Sequence, residues 1–111
     1  IRDVDWLFRY GGEEFVVVLE PTTYDDARLV FERFRQAVES HDFPQVGRVT
    51  CSIGFIRILP GDISAAVIGH ADQALYFAKR NGRNRVCSYE LLVQQGSIVP
   101  EVLLGETELF A

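Results

Sequence analysis

Trp6-Leu7-Phe8-Arg9-Tyr10-Gly11-Gly12-Glu13-Glu14-Phe15-Val16-Val17-Val18-Leu19 reads as two β-strands joined by a tight turn. Large residues alternate from Trp6 to Tyr10, and a β-branched and aromatic run follows from Glu14 to Leu19. Between them Gly11-Gly12 suits a two-residue primed turn, which needs positive φ at both tip positions. Phe15 to Leu19 is apolar on both faces, so the second strand is expected inside a sheet covered on both sides.

Working outward, Glu20-Pro21-Thr22-Thr23 ends that strand, and Thr22 or Thr23 can cap a helix with Asp25 and Asp26 near its positive end. Ala27, Val30, Phe31, Phe34, Ala37 and Val38 form its apolar stripe, opposite Arg28, Glu32, Arg33, Arg35 and Gln36. Pro44 and Gly47 mark His41 to Gly47 as a loop. Val49, Cys51, Ile53 and Phe55 then alternate with smaller residues, predicting a strand with one buried face. After Pro60-Gly61-Asp62 a second helix is predicted over Ser64 to Arg80, with Val67, Ala71, Ala74, Leu75 and Ala78 on its core stripe. Alanines there permit close approach to a sheet. Asn81-Gly82 stops the helix, and Arg85 to Tyr89 reads as a short final strand. The expected order is β-hairpin, α, β, α, β, an α+β fold. Residues 1–89 are taken as one domain portion; 90–111 is a tail without clear period, assigned no function.

The chain has 111 residues, 48% hydrophobic and 24% charged, which predicts one globular core rather than disorder. No apolar run approaches the roughly 20 residues of a membrane helix, and the start lacks a signal-peptide layout; a cytoplasmic domain without membrane contact is expected. The net charge of −5 argues against DNA binding, so any nucleotide site must be a local basic pocket. Cys51 and Cys87 are isolated within apolar runs and are read as buried free thiols. His70 is expected to be structural, and Trp6 and Tyr76 to pack.

The hairpin tip is chemically pointed. Gly11 and Gly12 would let the backbone approach a phosphate, and Glu13 and Glu14 supply the hard oxygens that phosphate-bound Mg²⁺ prefers. By themselves these residues also describe a plain turn followed by solvated glutamates. The longer string Arg9-Tyr10-Gly11-Gly12-Glu13-Glu14-Phe15 resembles the RYGGDEF signature of diguanylate cyclases, with Glu at the third position. Thr50-Cys51-Ser52-Ile53-Gly54 is similar to the family's T-x-S-I-G strand, and Ala71 to Val86 to its AD-x-ALY-x-AK-xx-GRN-x-V segment. Three matches in order span Arg2 to about Tyr89.

The resemblance implies a cyclase/ferredoxin-like sheet that condenses two GTP into cyclic di-GMP with release of pyrophosphate, each GTP held by one of two facing domains. Catalysis would then require a homodimer and Mg²⁺ or Mn²⁺. It implies that Glu13 is the metal ligand and that Glu14 lies close to the metal and the reacting hydroxyl. Gly11 and Gly12 would contact the phosphates, and Lys79 and Arg83 the triphosphate. Lys79 falls in the second helix's last turn and Arg83 just past Gly82, so both can direct cations at one anion; Lys79 and Arg80 would also complement the helix dipole.

Arg2-Asp3-Val4-Asp5 stands where many family members carry an RxxD product-inhibition site, which Arg33 from a neighbouring domain would complete. Arginine can donate to guanine O6 and N7, and a carboxylate can accept from guanine N–H groups. Complete members also have, upstream, a central strand ending in a second metal aspartate and a helical region contacting guanine. These are absent here, so the 111 residues alone are expected to be inactive. A sensory or receiver domain is expected upstream. The alternative is a catalytically incompetent domain acting as a cyclic di-GMP or GTP receptor.

Overall fold

The structure, a computed structural model, describes residues 6–9, 15–18 and 22–100. β1 (Trp6–Arg9) and β2 (Phe15–Val18) form the antiparallel hairpin, with Trp6 opposite Val18 and Arg9 opposite Phe15. This register differs by one from the expected two-residue turn. A Gly11-Gly12 turn would set Arg9 opposite Glu14, whereas the observed pairing leaves the odd-numbered span 10–14 between the last partners. The turn itself lies outside the described residues. Among the described residues β2 pairs with β1 alone, so the interior place suggested by its two apolar faces has no second neighbour there.

α1 (Tyr24–Ser40) starts where Thr23 caps it: the Thr23 hydroxyl accepts from the Asp26 N–H at 3.1 Å. Its apolar stripe covers the sheet only in part. No residue of α1 is fully buried, and Phe34 remains 52% exposed. The expected loop after it contains a small antiparallel pair, β3 (Asp42–Phe43) and β4 (Gly47–Arg48).

β5 (Ile53–Phe55) is shorter than the alternation from Val49 predicts. Its parallel partner β6 (Val86–Ser88) offers only three positions, Ile53 facing Val86, Gly54 Cys87 and Phe55 Ser88. Upstream of that ladder Val49 is exposed. α2 (Ser64–Arg80), which has the predicted span, connects β5 to β6 and packs on both, as a parallel pair requires of its crossover.

Gly54 sets how near α2 lies. A Cβ built there would stand 2.5 Å from the Ala71 carbonyl oxygen and closer still to the Leu75 backbone nitrogen. Around this contact Ala74 and Ala78 are completely buried, and Phe55 keeps 8% exposure. Phe55 is also the link to α1, with ring centroids 5.1 Å from Phe31 and 5.6 Å from Tyr24.

The segment after β6 corrects the reading of a tail without period. Its first residues form α3 (Tyr89–Gln94), capped by the Ser88 hydroxyl, which accepts from the Leu91 N–H at 3.2 Å. Leu92 is buried, and α3 packs on α2 and β6. The helix ends in a Schellman turn, Ser97 N–H donating to Leu92 O at 2.8 Å past Gly96.

Because backbone atoms of α2 flank the Gly54 site, they cannot yield as a side chain would. Gly54→Ala is predicted to destabilise the fold by at least the upper part of the overpacking range of about 1–3 kcal/mol. Urea denaturation checks this as a lower midpoint at unchanged slope; a midpoint equal to wild type would contradict the close approach.

Candidate functional site

The end of α2 and the turn beyond it carry two of the expected site residues, Lys79 and Arg83. Asn81 is its C-cap, Gly82 follows at φ 114°, and the Arg83 N–H returns to the Ala78 carbonyl at 2.8 Å, a Schellman closure. Lys79, half-buried, lies in the last turn; Arg83, exposed, lies just beyond the stop. Arg80 turns aside to Tyr76, donating to its hydroxyl at 2.7 Å with the guanidinium 5.4 Å from the ring centre. Tyr76 is 59% exposed rather than packed inside, and it holds Arg80 at the surface.

Arg83 and Asn84 both adopt left-handed backbone, φ 59° and 48°. Asparagine tolerates that region; arginine rarely enters it. The bonds around Asn84 hold the pair. Its N–H donates to the Ser52 hydroxyl at 3.1 Å, its side-chain oxygen accepts from Arg35 at 2.8 Å, and its amide donates to Glu39 at 2.9 Å. Arg35 also binds Glu32 and Glu39 on its own helix. That hydrogen bond holds the Glu32 carboxyl below the ordinary carboxylate range against the opposing pull of burial.

Nothing in the sequence pattern singled out Arg35, Glu39, Ser52 or Asn84 as site residues. Arg35 reads as a solvent-face arginine with acidic neighbours one turn away. Only Asn84, beside a glycine stop, carries a local signal, because asparagine is enriched in left-handed backbone.

Of the expected site residues, the structure describes Lys79 and Arg83, which it brings to one corner, and Arg33, exposed on α1. Gly11, Gly12, Glu13, Glu14, Arg2 and Asp5 lie outside the described residues. Among the described residues no group of three or more His, Cys, Asp or Glu side chains could hold a metal. His70 stacks on Tyr89 at 4.5 Å between ring centroids, a packing contact. Among the described residues no helix is long and apolar enough to cross a membrane.

The family "Diguanylate cyclase, GGDEF domain" matches residues 1–85. The chain belongs to that family. This GGDEF chain is 42% identical over 89 residues to diguanylate cyclase DgcP of Pseudomonas aeruginosa, covering 78% of itself and 13% of that protein. Its fold is similar to the GGDEF domain of DgcB from Caulobacter crescentus, solved in complex with c-di-GMP. That match has a TM-score of 0.73 and 34% identity, over 80% of this chain and 56% of that one. It is also similar to the active GGEEF domain of a diguanylate cyclase from Vibrio cholerae, with a TM-score of 0.69 and 42% identity, over 80% of this chain and 58% of that one.

Of the two cysteines of the GGDEF chain, Cys51 lies just before β5 and Cys87 within β6. They are free and half-buried rather than fully buried. Burial pushes both thiols above their ordinary range, opposed at Cys51 by Arg35 and at Cys87 by Arg85. A raised thiol pKa means less thiolate at a given pH. At pH 8 iodoacetamide is therefore predicted to label the folded protein more slowly than the urea-unfolded protein, the difference shrinking as pH rises. Equal rates at pH 8 would contradict the placement.

Proposed function

We propose that the domain to which these residues belong condenses two GTP into cyclic di-GMP. What carries this reading is the basic corner of Lys79 and Arg83 in a GGDEF-family chain that retains Gly11-Gly12-Glu13-Glu14 between β1 and β2, followed by Phe15. Lys79 and Arg83 bind the triphosphate as charge-assisted donors, and Gly11 and Gly12, lacking side chains, would let the backbone approach it. Fixing the triphosphate orients the α-phosphate toward the 3′-hydroxyl of the GTP on a facing copy. Each hydroxyl oxygen bonds to the other's α-phosphorus, the α–β phosphoryl bond breaks, and pyrophosphate leaves. Positioning of the two nucleotides carries most of the rate.

The donor set fits Mg²⁺ or Mn²⁺. Such an ion is commonly held by one or two carboxylates plus substrate phosphates, and the sequence offers Glu13 with Glu14 beside it. When bound, the ion neutralises charge on the transferring phosphoryl group. Glu14 stands by the reacting hydroxyl. Arg2 and Asp5 form the proposed product-inhibition site, completed by Arg33 from a neighbouring domain, with guanidinium and carboxylate groups matched to guanine edges. The chain spans 13% of DgcP and little over half of the two solved chains, so the activity is proposed for the full-length protein.

Incubation of the full-length protein with GTP and Mg²⁺ is predicted to yield cyclic di-GMP, and Glu13→Ala to abolish the product. Tight cyclic di-GMP binding by calorimetry without any turnover would replace the cyclase reading with a receptor.

A further inference from the structure

Arg83 is fixed at every backbone group. Its N–H is taken by Ala78 O at 2.8 Å, its carbonyl by the Arg85 side chain at 3.2 Å, and the next residue by Ser52, Arg35 and Glu39. An arginine in left-handed backbone stays there only if its surroundings hold it. One restraint comes from far away in sequence: Arg35, 49 residues before Asn84, donates to its side-chain oxygen at 2.8 Å. Arg35 is itself gripped by Glu32 and Glu39 and keeps only 13% side-chain exposure. Glu39 closes the loop by binding both Arg35 and the Asn84 amide.

We propose that Arg35 is a positioning residue for nucleotide: through Asn84 it holds the backbone of Arg83 so that the Arg83 guanidinium meets the triphosphate already oriented. Arg35 touches no substrate. Its effect passes through the 83–84 turn, with Glu39 and Ser52 as the other two anchors. This inference rests on Arg83 being a triphosphate ligand, and it adds a residue on a separate helix to that site.

The test is a double-mutant cycle in the full-length protein, read as KM for GTP with Mg²⁺ and as the dissociation constant of a non-hydrolysable GTP analogue. Arg83→Ala is predicted to weaken binding about tenfold, as loss of one charged contact does, and Arg35→Ala to weaken it by up to the same factor by releasing the Arg83 backbone. The double variant is predicted to bind no more weakly than Arg83→Ala alone, because Arg35 has nothing left to position. Should Arg35→Ala not fold, Asn84→Gly serves instead; it keeps left-handed backbone accessible while deleting both side-chain bonds, and the same non-additivity is predicted. Unchanged affinity in the Arg35 or Asn84 variant, or effects that add fully in the Arg83→Ala background, would overturn the positioning role. Wild-type affinity in Arg83→Ala alone would overturn the triphosphate reading itself, and this inference with it.

Discussion

The contact between α2 and β5 at Gly54 is the constraint on which the described structure depends. A strand normally keeps a helix at the distance its side chains require. At Gly54 the side chain is missing, and the backbone of α2 at Ala71 and Leu75 occupies its place. Ala74 and Ala78 can then be buried completely with small side chains, and Phe55 can extend beyond them to Phe31 and Tyr24 of α1. Asn81 and Gly82 end α2 beyond this contact. Its last turn and the Gly82 stop fall beside Ser52, close enough for the 83–84 turn to be bonded to β5's approach and to α1 together.

The helical parts of this arrangement were legible because period and punctuation agree. α2 has the span its apolar stripe and Asn81-Gly82 predict, and one of the two offered threonines caps α1. What escaped the sequence depends on partners or parity. A period of two cannot show whether a hairpin loop holds an even or odd number of residues, so the pairing of Arg9 with Phe15 could not be read from it. α3 is too short to display a period, although Ser88 before an acidic first turn and Gly96 after it were its terminal signals. The alternation from Val49 overran β5 because ladder length belongs to both strands, and β6 is short.

The candidate site divides along the same line. Lys79 and Arg83 could be picked out by their place around a helix stop and by the motif they sit in. The bonds that hold Arg83 could not, because Arg35, Glu39, Ser52 and Asn84 lie on three separate stretches of chain. Packing shapes the turn indirectly here: a glycine in a strand admits a helix, and the helix end becomes a fixed turn. A side chain on that turn can meet an anion without first losing backbone freedom, which is how preorganisation raises affinity.

The most direct measurement is an NMR titration of the ¹⁵N-labelled full-length protein with a non-hydrolysable GTP analogue and Mg²⁺, following backbone amides. The predicted result is that the amides of Gly82, Arg83 and Asn84 shift saturably together with those of Gly11 and Gly12. Saturable binding that moves other amides while leaving 82–84 unshifted would contradict the assignment of this corner to the triphosphate.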